Sequence, residues 1–454
     1  MLIEFRAENH RSLRDEQALT LEAGRAGDED DRRPRNVSGF SDRILPVAAI
    51  YGANASGKSN VLSALAFMRT AVVHSHRSWA PEDVVPREAF AWGPKKNEPS
   101  LFEATFLIDS VRYEYGFLAS SQSFVEEWLY AWPHGKKQVW YERDDGNFKF
   151  GENLKGENKV IVEVTRSNAL FLSAAVQLRH PQLNQVFGWF LNLRPINMTL
   201  PRYSIGWRTP SLFPRIVDLI DEMQQQSLFP EKETESPSDQ FRALLRNADI
   251  GIVDLRTVKT ESADDTGRYS RTQIQLKHKA SINDAWLPLE EESQGTQKLF
   301  RLALPVLQAL RGGSVLIVDE LESSLHPSLA QEIVNLFNNP IQNPNNAQLI
   351  FSTHDTNLLG TTLGEPVLRR DQVWLTEKSP EGGTVLYPLT NYKPRKSENL
   401  ERGYLQGRFG AIPFLGKFAW ATEESSHDQT PPSGQEGSQT RPISGTQTTP
   451  PDSL

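Results

Sequence analysis

Gly52, Gly57, Lys58 and Ser59 fall at the spacing G-x-x-x-x-G-K-[ST] within Gly52-Ala53-Asn54-Ala55-Ser56-Gly57-Lys58-Ser59-Asn60. These residue types, so spaced, handle a phosphate chain. The glycines let the backbone turn its N–H groups onto an anion. Lys58 brings a cation to the β- and γ-phosphates, and the Ser59 hydroxyl is a ligand for Mg²⁺. Asn54, Ser56 and Asn60 are the polar members of the same loop. An apolar segment (residues 45–50) leads in and a helical pattern (61–68) leads out, so the positive end of a helix faces the same anion.

Two further strand ends carry polar chemistry. Val315-Leu316-Ile317-Val318 is a buried-strand run that stops at Asp319-Glu320. In a parallel sheet the carboxyl ends of strands face the bound phosphates, so Asp319 is placed to hold Mg²⁺. Glu320 is placed to polarise an attacking water as general base. Gln348-Leu349-Ile350-Phe351 likewise stops at Ser352-Thr353-His354-Asp355, from which His354 can reach a γ-phosphate. A third feature is Ser293-Gln294-Gly295-Thr296-Gln297, which opens a helix over 298–310. A serine N-cap followed by glycine is an anion site, with Ser293, Gly295 and Gln297 its contact candidates. Within one subunit the 52–59 loop already covers a nucleotide's phosphates, so this second site has none of its own to bind.

The chain has 454 residues, 38 % hydrophobic and 23 % charged, enough for more than one lobe around a large core. Its net charge of −8 argues against a globally basic nucleic-acid coat. Without cysteine it can form neither disulfides nor thiolate metal sites. No apolar run reaches membrane-spanning length, and residues 1–10 alternate like a strand instead of forming a signal-peptide core. A cytoplasmic protein is the expectation.

In order, residues 2–6 and 17–21 read as a hairpin-like strand pair, and 24–42 as an exposed charged loop. A helix should run from the phosphate loop to about Val73. From 101 the period changes to two: strands at 101–108 and 111–118 flank Asp109-Ser110, and further strands are expected at 123–131, 137–143 and 159–164. The aromatics of this antiparallel lobe, among them Phe102, Phe106, Tyr115 and Tyr141, read as core. Helices are expected at 182–193, 211–226 and 238–247, and strands at 251–258 and 271–278. No sustained heptads appear, so no long coiled-coil arm is expected. The segment 422–454, rich in Ser, Thr, Pro, Gln and Gly, reads as a disordered tail. The division expected is 1–165, an N-terminal lobe with the phosphate loop; 166–249, a helical insertion; 250–421, a C-terminal lobe with the acidic strand end; and 422–454, the tail.

Together, Gly52 to Ser59, Ser293 to Gln297, Val315 to Glu320, Ser324-Leu325-His326-Pro327 and His354 resemble the ATP-binding-cassette ATPase head, and more narrowly the RecF/SMC/OLD-like group. Gly52 to Asn60, Asp319-Glu320-Leu321-Glu322-Ser323-Ser324-Leu325-His326-Pro327, Ser352-Thr353-His354-Asp355-Thr356-Asn357-Leu358-Leu359 and Tyr404 to Pro413 resemble stand-alone RloA-type proteins of anti-phage, abortive-infection modules. The resemblance implies an α/β P-loop NTPase fold, ATP and Mg²⁺ as ligands, and ATP hydrolysis. It casts Ser293 to Gln297 as a signature loop that closes on the nucleotide of a second subunit, giving a homodimer bridged by ATP. It also implies a separate nuclease-like effector, since the span from His354 to Thr422 is too short for a fused one. A Q-loop glutamine is expected in the antiparallel lobe, at Gln122 or Gln177. The competing reading is a repair ATPase that closes directly on DNA. Its basic candidates (Arg166, Arg179, Arg202, Arg208 and Lys393-Pro394-Arg395-Lys396) are scattered.

Overall fold

The computed structural model describes residues 1–24, 31–198, 237–248, 251–264, 267–282, 284–361, 364–395 and 398–413. Met1–Pro413 forms one compact unit. The expected helix at 211–226, the tail at 422–454, and Arg202, Arg208 and Lys396 lie outside the described residues.

The N-terminal strands β1 (Leu2–Glu8) and β2 (Gln17–Thr20) pair antiparallel, as expected. The fully buried strand β3 (Val47–Gly52) then delivers the phosphate loop to helix α1 (Lys58–His74). Five strands follow: β4 (Ser100–Ile108), β5 (Val111–Ala119), β6 (Phe124–Trp132), β7 (Gln138–Asp144) and β8 (Asn147–Phe150). With β1 and β2 they make a seven-stranded antiparallel sheet in the order β2-β1-β4-β5-β6-β7-β8. Asp109 and Ser110 both take positive φ (47° and 67°), as a two-residue turn must if it is to match the strands' twist.

One expected strand is a helix. Residues 158–164 form α2 (Asn158–Val164) despite four β-branched residues at 160, 161, 162 and 164. A helix buries Ile161 and leaves Val160 and Val164 about half exposed. Tertiary context overrides propensity. Helices α3 (Phe171–Gln177) and α4 (Leu183–Leu191) lead to a short strand, β9 (Arg194–Ile196). The described part of the expected insertion ends in α5 (Pro237–Asn247).

The long hairpin β10 (Ile252–Asp264) and β11 (Gly267–His278) pairs with β12 (Trp286–Pro288) as a small sheet. Next come α6 (Gln294–Gly312), β13 (Val315–Val318), α7 (Pro327–Asn338), β14 (Gln348–Ser352), β15 (Val373–Lys378), β16 (Thr384–Pro388) and α8 (Leu400–Leu405). The second large sheet runs β16-β15-β3-β14-β13-β9; its inner strands are parallel and β16 is an antiparallel edge.

Both faces of this sheet are covered, which is why β3, β13 and β14 read as continuous apolar runs. Ala48, Ile50, Ile317 and Ile350 join the core shared with α1 and the antiparallel sheet, including Phe102, Phe106, Tyr115 and Tyr141. Val47, Ala49, Leu316 and Phe351 join a second core with α5, α6 and α7. Wedged between two sheets, α1 buries residues around most of its circumference, among them Val61, Leu65, Met68 and Val72. The 24–42 segment is not simply an exposed loop. Arg35 is buried and donates to the Phe337 and Asn338 carbonyls, which supply the acceptors a buried guanidinium requires.

Candidate active site

Parallel register decides which chain ends meet. Phe351 pairs with Val318 and with Ala49, so Asp319, His354 and the 52–59 loop all emerge along one edge of the sheet. At that edge the Ser59 hydroxyl donates to Asp319 Oδ1 at 2.9 Å, and Ser352 Oγ donates to the same oxygen at 2.6 Å. Residues 260 positions apart in sequence are thereby in direct contact.

The loop is built to be occupied. Helix α1 opens on Gly57 with no side-chain cap and no acidic residue in its first turn, so its dipole end is left for an anion. Gly57 has φ 113°, and a Cβ there would fall 2.0 Å from Thr384 Oγ1, so no other residue fits. Lys58 is buried and folds its ammonium back onto the Gly52 and Ala53 carbonyls at 2.9 and 3.1 Å. Burial pulls its pKa down to about 8, against the opposing pull of Asp319, Glu320 and Glu322. Ser56 is buried on Thr376 Oγ1, whereas Asn54 is exposed and Asn60 donates to Ser12 Oγ.

Glu320 follows Asp319 with φ 50°, a left-handed backbone that costs free energy in a non-glycine residue and leaves its carboxylate exposed. Its backbone is held: its N–H donates to Ser352 Oγ, and its carbonyl accepts from Lys298 Nζ at 2.8 Å. The His354 imidazole is lowered from its usual pKa, first by burial and then by Lys58, while Glu322, Glu320 and Asp319 oppose the shift. Sequence reasoning assigned Glu322 no part in the site, yet its Oε1 accepts the His354 backbone N–H at 2.6 Å. Its place in the Asp-Glu-Leu-Glu run was the available signal.

The Ser293 loop is assembled separately. Ser293 caps α6, accepting from Thr296 N at 3.1 Å, and Gln297 ties back to the Glu290 and Glu292 carbonyls. Gly295 passes so close to the Ser324 carbonyl that a Cβ would come within 2.8 Å of it, joining this loop to the segment after Glu320. No hydrogen bond among the described residues links 293–297 to 52–60. The first turns of α6 face the acidic strand end across a cavity of about 280 Å³ whose lining includes Asn197, Gln294, Lys298, Arg301, Asp319 and Glu320. Gln122 and Gln177 are both exposed and neither borders this cavity. Asn197, just past β9 on the strand flanking β13, is a lining residue that sequence reasoning missed; a three-residue strand left too little pattern to find it.

The donor set suits a hard cation: a hydroxyl and a carboxylate oxygen, already converging, beside a cradle for phosphate. The parallel sheet, its phosphate loop and the acidic end of a nearby strand define a P-loop NTPase with an added antiparallel lobe. The chain belongs to the family described as "AAA domain, putative AbiEii toxin, Type IV TA system", whose profile matches residues 47–360, more than half of the chain. No curated protein matches the chain in sequence. Among solved structures, it is similar to an Smc head bound to the C-winged helix domain of ScpA (11 % identity, TM-score 0.41, covering 85 % of this chain and 96 % of that one). It is also similar to the SMC head domain from Thermotoga maritima (13 % identity, TM-score 0.35, covering 85 % and 98 %). Among the described residues, no helix is long and apolar enough to cross a membrane.

Proposed function

We propose that this protein binds and hydrolyses ATP as a switch that closes two copies of the chain around the nucleotide. The observation that carries the reading is the Ser59–Asp319 contact, with Glu320 as the next residue, exposed in a strained backbone. Lys58 would bind the β- and γ-phosphates. Ser59 and Asp319 would hold Mg²⁺ between them; bound there, it supplies neutralisation of phosphate charge. Glu320 would take a proton from the attacking water, and His354 would contact the γ-phosphate.

The Ser293 loop supports a composite site. Ser293 and Gln294 are exposed at an uncharged helix N-terminus, and no hydrogen bond among the described residues joins that turn to the 52–60 loop of its own chain. A two-fold arrangement of two chains would place each Ser293 loop on the partner's nucleotide. The RloA-type role, signalling to a separate nuclease-like effector in anti-phage defence from the cytoplasm, rests on the motif forms alone. The DNA-closing alternative loses one basic candidate, because Arg166 donates to the Ser75, His76 and Trp79 carbonyls.

The test is Glu320→Gln. Light scattering with ATP and Mg²⁺ is expected to show a dimer that persists in the variant and decays in the parent as phosphate is released. Unchanged turnover in the variant would remove Glu320 from its role.

A further inference from the structure

The Ser59–Asp319 contact, Glu320 and His354 put the terminal phosphates on the β13–β14 side of the phosphate loop. On the ATP reading, the rest of a nucleotide would extend away from that side, and the sheet order puts β15 and β16 on the other flank of β3. That flank is joined to the loop by a chain of contacts. Thr384 Oγ1 donates to the Ser56 carbonyl at 2.7 Å and lies 2.7 Å from Ser12 Oγ, which accepts from Asn60 one residue past Ser59. Thr384 also opens β16, so the β15–β16 turn hangs directly off the loop's flank.

Two residues before Thr384, a span of at most ~7 Å of extended chain, Gly382 meets a tryptophan. A Cβ on Gly382 would fall 2.7 Å from the Trp92 ring, and one on Gly383 would fall 3.2 Å from the Arg14 Cβ. Trp92 Nε1 donates to the Glu381 carbonyl at 3.3 Å, and Lys378 Nζ donates to the Gly382 carbonyl at 3.1 Å. The indole is fixed from below. Phe90 packs on it with ring centres 4.7 Å apart, the Phe90 N–H donates to Asn9 Oδ1, and the buried Asn9 amide donates to the Lys95 and Glu98 carbonyls. Yet Trp92 remains 58 % exposed. Phe90 meets the indole at a tilt of 58°, and Arg14 lies 3.9 Å from Glu381 in the same turn; an exposed aromatic ring anchored in this way is a surface on which a heteroaromatic base stacks.

We propose that the turn between β15 and β16 seats the purine base of the bound nucleotide, with the exposed Trp92 indole stacked on the base and Arg14 beside it. The proposal rests on the ATP reading above and adds to it a base-selective half of the pocket, built from a segment between α1 and β4 that touches none of the phosphate-binding groups. Glycine at 382 and 383 is what lets the indole and Arg14 come up to the turn.

The experiment is equilibrium binding of ATP and of inorganic tripolyphosphate, each with Mg²⁺, to the full chain and to Trp92→Ala and Trp92→Phe. Tripolyphosphate has the phosphate chain without a base. The alanine variant is expected to bind ATP about tenfold or more weakly, from the usual effect of removing a stacking partner, with tripolyphosphate affinity unchanged. The phenylalanine variant should keep most of its ATP affinity. Parental ATP affinity in Trp92→Ala overturns the proposal, as does an equal loss for both ligands. If the parent binds neither ligand, the nucleotide reading itself falls; if it binds ATP and Trp92→Ala binds equally well, only the base seat is lost.

Discussion

Lys58 carries a charge that its surroundings do not favour. Burial lowers its pKa from 10.5 to about 8, so the ligand-free protein sheds this proton before the unfolded chain does. Its contribution therefore makes the ligand-free fold more stable as pH rises from about 8 towards 10.5. Phosphate binding has the opposite sign, because an anion beside the ammonium restores the proton. ATP affinity is expected to hold steady below about pH 8 and to fall above it, with proton uptake on binding near pH 9. Calorimetry in buffers of different ionisation enthalpy reads that uptake directly. Its absence in the parent, or its persistence in Lys58→Met, would remove Lys58 from the phosphate site. Glu322 belongs to the same scale: by holding the His354 backbone it ties that residue to the strand end that carries Asp319 and Glu320.

At the scale of elements, the antiparallel lobe is pinned to the helices that follow it by one carboxylate. Glu127 on β6 is fully buried, accepts from the Phe171 and Leu172 N–H groups at the start of α3, and accepts both the Tyr115 and Tyr141 hydroxyls. Arg143 on β7 lies 3.9 Å away and also holds the Ala169 and Ser167 carbonyls. Removing one partner of such a buried set leaves the others unpaired. Glu127→Ala is expected to lower stability by about 3–5 kcal/mol in urea unfolding, and Glu127→Gln by less, since the amide keeps an acceptor. A loss below about 1 kcal/mol, the worth of a single ordinary hydrogen bond, would show that the two elements dock without it. Helix α2 carries the complementary lesson: its β-branched run is helical, with Ile161 buried in the core.

For the whole molecule, the question is whether the pocket completes within one chain or between two. Lys58→Ala and Ser293→Arg damage opposite halves of the proposed composite site. Each variant alone is expected to be without ATPase activity. Mixed in equal amounts, half of the dimers pair one chain of each kind and carry one intact site, so roughly a quarter of the parental rate should return. A mixture as inactive as its components would mean that each chain works on its own nucleotide.

The phosphate loop, the acidic strand end, the two-period antiparallel lobe and the fully buried strands were legible in the chain itself, because each is a local pattern. Glycine spacing, alternation of two and unbroken apolar runs are dictated by neighbours in sequence. The hairpin turn at Asp109-Ser110 and the serine cap at Ser293 belong to the same class. Parallel register and sheet order belong to tertiary structure alone, because they join segments hundreds of residues apart. They brought Ser59 onto Asp319, made Glu322 a support for His354 and put Asn197 on the cavity lining. Local sequence determines what an element can be, and the position of its neighbours decides what it touches.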